Sequence, residues 1–279
     1  MRLQLSKKNI IGALFFTFAL FTACCVHQNP FFGSHTLRKA KKSVVKIEGK
    51  TFIGFTSTST TASKVSVEFG STASGAIVKH YKDVTVILTA AHVCGVVYEQ
   101  QLRMFKGFVE SNDKIVRIDI STKLVVSDIE GRIFDAVQIF AKKRSDTCVI
   151  ITKRIPQRAL DIAHKELDIG ENAYSIGLPH GIWGPNFIPM FDGRFLGHLY
   201  IKNGRGNKTS CYSIPGAAGQ SGSPVFNSFG QVTGMIHSVY KRYNHLSLSS
   251  TLNQIKYVVD QGTKRLESRY KKYYKSLNN

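Results

Sequence analysis

From Ser43 onward the apolar positions come in short clusters of Val, Ile, Phe and Thr, each closed off by Gly, Asn, Asp or charged residues. Ser43–Ile47, Ser66–Phe69, Ile115–Ile120 and Lys123–Val126 have the length and β-branched content of strands. Val84-Thr85-Val86-Ile87-Leu88 is apolar at all but one position and predicts a buried strand. Thr56–Ser63, rich in Ser and Thr, fits either a flexible linker or, since threonines flanked by Phe55 and Val65 suit a pleated sheet, a hairpin. The period changes near the C-terminus, where Leu252, Ile255, Val259 and Leu266 recur at helical spacing and predict one amphipathic helix, weakened in its middle by Gly262. No repeat of the solenoid kind is present. With the N-terminus set aside, roughly 240 residues remain, which suits one all-β unit of two packed barrels better than two independent domains.

The N-terminus follows a different pattern. Lys7 and Lys8 precede an uncharged run, Asn9 to Val26, with an apolar core at Ile10–Phe21 that ends in Thr22-Ala23-Cys24-Cys25. A basic flank before a short apolar core reads as an export signal, so residues 1–26 are expected to serve as signal peptide or membrane anchor. The protein is then exported: periplasmic, held at the outer face of a membrane, or secreted. Cys24 is placed as the lipidated Cys of a bacterial lipobox would be, although Phe21 stands where Leu or Val is usual. Lipoprotein, cleaved signal and uncleaved anchor stay open together.

The formal net charge is +20. Its densest stretches are Arg38–Lys46, overlapping a basic segment at 27–42, and Lys264–Lys275 in a basic tail at 263–279. Tyr270, Tyr273 and Tyr274 interleave the second stretch, a composition that suits a solvated helix face, an anionic membrane surface or nucleic acid. An exported chain seldom meets nucleic acid, so none is expected as a partner. The charge also draws acidic substrates at low salt. No Cys-x-x-Cys pair or His-rich cluster suggests a metal site, and no cofactor is implied.

Candidate chemistry centres on Gly219-Gln220-Ser221-Gly222-Ser223-Pro224. Glycines either side of Ser221 permit a tight turn that presents a hydroxyl nucleophile and aims backbone N–H groups at an oxyanion. The order differs from the Gly-x-Ser-x-Gly elbow of α/β-hydrolases, and Pro224 opposes a following helix. Upstream, Thr89-Ala90-Ala91-His92 ends the buried strand in two small residues and an imidazole. Asp128, Asp135 and Asp146 lie between His92 and Ser221, and the order His, Asp, Ser is that of the chymotrypsin triad. Asp146 opens the apolar run Thr147–Ile151, where a carboxylate can be hydrogen-bonded and held ionised; Asp135-Ala136-Val137 is the rival.

These motifs, with Ser74-Gly75-Ala76-Ile77-Val78, Gly170–Pro179, Ser145–Ile151 and Gly230–Met235, resemble the trypsin-like (chymotrypsin-clan) serine peptidases from about Ser43 to Asp260, nearest their HtrA-like and glutamyl-endopeptidase-like bacterial or phage branch. The resemblance implies two packed six-stranded Greek-key barrels with a C-terminal helix, a peptidase domain over 43–262, and a serine endopeptidase acting on protein or peptide. It implies Ser221 as nucleophile, His92 as base, Asp146 as orienting acid, and the N–H groups of Gly219 and Ser221 as oxyanion hole. About twenty residues follow the expected last strand and helix, leaving no room for a PDZ domain. Substrate would be bound by Pro215, Gly216, Ala217, Met235, Ile236 and His237. The S1 base falls at Pro215 without a carboxylate, which disfavours Lys or Arg at P1 and favours a small or apolar residue. His237 keeps Glu as the alternative, although it falls one residue later than the His of glutamyl endopeptidases and faces the opposite way unless a bulge intervenes. Of five cysteines, Cys94 and Cys148 each lie two residues past a triad position, so they share a face with those partners and either pair as a disulfide or remain buried thiols. A catalytically idle, membrane-tethered binding protein on the same scaffold is the alternative function.

Overall fold

A computed structural model describes residues 36–57, 64–95, 115–184, 187–201, 207–240 and 243–278. In it the apolar clusters become two closed antiparallel barrels. The first holds β1 (Val44–Ser57), β2 (Lys64–Tyr81), β3 (Val84–Ala90), β4 (Ile115–Ser127), β5 (Ile133–Lys142) and β6 (Thr147–Lys153), in the order β1-β2-β3-β6-β5-β4. The second holds β7 (Asn172–Ile176), β8 (Met190–Ile201), β9 (Asn207–Tyr212), β10 (Pro224–Phe226), β11 (Val232–Tyr240) and β12 (Tyr243–Ser250), in the order β10-β11-β12-β9-β8-β7. One helix, α1 (Leu252–Ser276), follows.

Ile115–Ile120 and Lys123–Val126 form one strand, β4, rather than two. The polar break between them is absorbed by pairing, since Thr122 sits opposite Thr51 of β1 and their hydroxyls lie 3.2 Å apart. β1 and β2 pair as a hairpin as far as Thr56 opposite Lys64; residues 58–63 lie outside the described residues.

All seven residues of β3 are buried, and so are the first six of β6. One face of each fills the first barrel, while α1 packs over β5 and β6 and also meets β3 and β11. Gly262 is at the closest approach: a Cβ there would stand 3.0 Å from Val149, so the residue that lowers helix propensity lets the helix reach the sheet. Thr251 and Gln254 form a capping box at its start. Its own Ile255, Val258 and Leu266 are fully buried, and Leu266→Ala is expected to cost about 2–5 kcal/mol.

The expected borders of the barrel unit move accordingly. α1 runs through 262/263, where a separate tail was expected, and carries the basic stretch on its outer face. A helical turn at 36–40 buries Leu37 and Ala40 in the main core, so part of the expected basic segment packs into the body of the protein. The expected leader at 1–26, Cys24 included, lies outside the described residues; among the described residues no helix is long and apolar enough to cross a membrane.

The connection between the barrels is stitched down rather than free. Leu160 N donates to Ile77 O (2.8 Å), Ile155 N to Thr85 Oγ1 (2.8 Å) and Ser43 Oγ to Arg158 O (2.7 Å). Further on, Glu166 accepts from His198 and Ser210 of the second barrel. Each bond satisfies a group that the crossing would otherwise leave without a partner, so the connecting segment is fixed to both barrels.

Candidate active site

The register of β3 and β6 brings the candidate base and acid together. Ala90 pairs with Thr147, and Ala91 N donates to Asp146 O (3.1 Å), extending the ladder by one residue. The chain reaches Asp146 from a short turn, Lys143–Ser145, and Asp146 adopts a left-handed conformation with φ 49°. Non-glycine residues pay for that region, and such strain concentrates at working sites. It turns the carboxylate onto His92, whose backbone N donates to Oδ1 (3.0 Å) and whose Nδ1 lies 2.8 Å from Oδ2. A carboxylate only accepts, so Nδ1 carries the proton and Nε2 is left to accept one. Two residues beyond each partner, Cys94 and Cys148 are joined by a disulfide.

The other two aspartates are engaged elsewhere. Asp128 is fully buried and accepts from Glu130 N, Arg132 N and the Arg132 guanidinium, closing a tight turn. Asp135 is exposed on β5.

The turn that carries the candidate nucleophile Ser221 is fixed through its carbonyls. Ala218 O accepts from His180 N (2.5 Å) and Gln220 O from Ser223 N (2.9 Å). In a trans peptide N–H and C=O point to opposite sides, so Gly219 N–H and Ser221 N–H are directed away from those partners. Gly219 and Gly222 have φ of +91° and +86°, and a Cβ on Gly222 would stand 1.9 Å from Ser74 O. The Gln220 side chain is buried and its Oε1 accepts from Ala217 N (2.6 Å), bracing the turn from inside. A chain of bonds ties this turn to the base: Ser74 N donates to Ser221 O (2.8 Å), and Thr89 Oγ1, three residues before His92, donates to Ser74 O (2.8 Å). No hydrogen bond joins Ser221 Oγ to His92 in this structure; such bonds are often long before substrate binds.

A family model described as a trypsin-like peptidase domain matches residues 73–235, more than half of the chain and a span that includes His92, Asp146 and Ser221. The chain belongs to the trypsin-like peptidase domain family. It is thus a serine endopeptidase, and its substrates are proteins or peptides. Its fold is similar to that of the Rv3671c protease of M. tuberculosis, at 14% identity and a TM-score of 0.56 over 82% of this chain and 90% of that one for an inactive form. The active form gives 14% and 0.56 over 81% and 83%. A serine endoprotease from Yersinia pestis gives 16% and 0.55 over 83% and 66%. No curated protein sequence matches the chain.

In this peptidase the expected substrate-binding residues divide. Pro215, Gly216 and Ala217 are partly exposed beside the nucleophile turn, and Gly216 N is held by Asn244 O (2.8 Å). Met235 and Ile236 are not at the surface: both side chains are in the core. Their backbone is occupied as well, Met235 N by Ser249 Oγ and Ile236 N and O by Ser223 and Gly222. Pairing with the nucleophile segment withdraws them from any ligand. The β11–β12 register shifts between Ile236 and Ser238, so the unpaired residue of this irregularity is His237. The His237 pKa is lowered, by burial first, against a raising contribution from Asp146 and with a further lowering from His92.

Ser74, His180 and Val239 carry weight that no sequence motif assigned to them. His180 has φ 51°, which aims its N–H at Ala218 O. Val239 stands against Gly216, where an added Cβ would lie 1.9 Å from Val239 Cγ1.

Proposed function

We propose that Ser221, His92 and Asp146 work as a catalytic triad cleaving peptide bonds after small or apolar residues. The observation that carries this reading is the pair of bonds from His92 to Asp146, through backbone N and through Nδ1, beside a turn that presents Ser221. With Nδ1–H fixed on the carboxylate, Nε2 takes the proton as Ser221 Oγ attacks the scissile carbonyl. The C=O electrons move onto oxygen, toward the N–H groups of Gly219 and Ser221. Collapse breaks the C–N bond, the amine leaves with the proton from Nε2, and an acyl-enzyme remains on Ser221. Water, deprotonated by His92, then hydrolyses that ester. Asp146 stays ionised throughout and stabilises the imidazolium.

The P1 preference is supported by Val239 filling space against Gly216 and by the absence of a carboxylate at Pro215–Ala218. His237, left unpaired by the β11–β12 register shift, is the observation favouring an acidic P1 as the second reading. Turnover of fluorogenic peptides differing only at P1 tests both. Ala and Val are expected to exceed Glu, Arg and Phe in kcat/KM, and Ser221→Ala abolishes turnover of all. A Glu peptide that leads the series overturns the apolar preference; unchanged turnover in Ser221→Ala overturns the triad. Export stands as part of the proposal, on the Asn9–Val26 run and a disulfide suited to an oxidising compartment.

A further inference from the structure

Ser74 belongs to the first barrel, yet its polar atoms meet at the nucleophile turn of the second. Its side chain is fully buried. Ser74 N donates to Ser221 O at 2.8 Å and Ser74 Oγ donates to Gly219 O at 3.0 Å. The same hydroxyl accepts from Leu178 N at 3.1 Å, so its single proton and an acceptor site are both in use. Leu178 opens the Pro179–Gly181 turn, and it is that turn's His180 N–H that holds Ala218 O. Ser74 therefore grips the turn's carbonyls at Gly219 and Ser221 directly and its third, at Ala218, through one short turn. Thr89 Oγ1 completes the node by donating to Ser74 O at 2.8 Å.

The arrangement bears on rotation of the Ala218–Gly219 peptide. Flipping that plane would aim the Ala218 carbonyl where the Gly219 N–H is needed and replace a donor by an acceptor. Gly219, at φ +91°, has the freedom to permit it. The flip is opposed directly by His180 N–H on Ala218 O; Ser74 Oγ–H on Gly219 O anchors the next peptide plane, against which the flip would turn, and the same hydroxyl, by accepting from Leu178 N, connects that anchor to the His180 turn. We infer that Ser74 is a positioning residue that holds the Gly219 N–H in the oxyanion-binding orientation from across the barrel interface. The inference rests on the triad reading above.

Loss of one oxyanion donor lowers rate by on the order of 10²–10³. Weakening the restraint on that donor is expected to lower kcat of Ser74→Ala by on the order of tenfold to a hundredfold, with KM within about threefold, because a ground-state carbonyl depends on the hole less than an oxyanion does. The experiment compares full-length wild type and Ser74→Ala in three measurements: peptide turnover, inhibition by a peptide boronate that adds to the serine, and binding of the cleaved product peptide. The expected result is a fall in kcat matched by an equal weakening of the boronate, with product affinity unchanged. Equal kcat in the two proteins, or a kcat loss without weaker boronate binding, overturns the inference. If Ser74→Ala does not fold, Thr89→Val removes only the donor to Ser74 O and should show the same pattern at smaller amplitude; unchanged kcat there also overturns it. Failure of the triad reading looks different, since wild type would then neither turn over peptide nor bind the boronate.

Discussion

Replacing Asp146 by Asn tests the link between geometry and rate most sharply. His92 offers Asp146 two donors, backbone N at 3.0 Å from Oδ1 and Nδ1 at 2.8 Å from Oδ2. An asparagine of the same shape has one acceptor for two donors. If its oxygen keeps the backbone bond, its NH2 faces Nδ1, which must then accept, and the imidazole proton moves to Nε2. A ring protonated at Nε2 cannot take the proton of Ser221. The expected loss in kcat is on the order of 10⁴, about 5 kcal/mol in the barrier. Stability should change little, since the side chain is only partly buried and the amide can still bond both His92 groups. The assay is peptide turnover beside a thermal melt, with Asp135→Asn as control because that carboxylate is exposed on β5. A kcat/KM above a tenth of wild type in Asp146→Asn, or an equal loss in Asp135→Asn, would refute the tautomer argument.

The Cys94–Cys148 disulfide closes a loop of sequence separation 54, for which chain entropy gives about 4 kcal/mol; the double Cys→Ala variant should lose stability of that order in denaturant titration. Val239→Gly opens the space beside Gly216 and should raise kcat/KM for a P1 Phe peptide on the order of tenfold relative to P1 Ala; an unchanged ratio would show that Val239 does not bound the pocket. The His80 pKa is lowered, by burial first, against a raising bond to Gln157 O and a further lowering by Arg154. The unfolded chain therefore binds its proton at higher pH than the folded one. This contribution is complete above the ordinary His value near 6.5 and is lost as pH falls through the folded value. Melting temperature should drop from pH 7 to pH 5, and less steeply in His80→Gln.

How much of this the chain announces depends on the range of the interaction. Ser221 and His92 are legible because each sits in a local motif, a Gly-flanked turn and an apolar strand ending in small residues. Asp146 stands out by its place at the mouth of the Thr147–Ile151 run, but Asp135-Ala136-Val137 imitates that pattern, and only the bonds to His92 separate the two. Met235 and Ile236 mislead because the motif reaches them while strand pairing turns their side chains and backbone inward. The irregularity that leaves His237 unpaired has no sequence signature, since it belongs to the register of two strands rather than to either one. Ser74 is the extreme case: its bond to Gly219 O spans 145 positions, and the Ser74–Val78 motif that marks the strand gives no sign of it. Gly262 reads as a flaw in a helix until Val149 is seen beneath it.

The most direct test of the central claim is mass-spectrometric mapping of the full-length protein after reaction with a fluorophosphonate. A single phosphonyl adduct on Ser221, absent in Ser221→Ala and formed far more slowly in Asp146→Asn, is the predicted result. A folded wild-type protein that carries no adduct, or carries it on another residue, would contradict the assignment of Ser221 as the activated nucleophile.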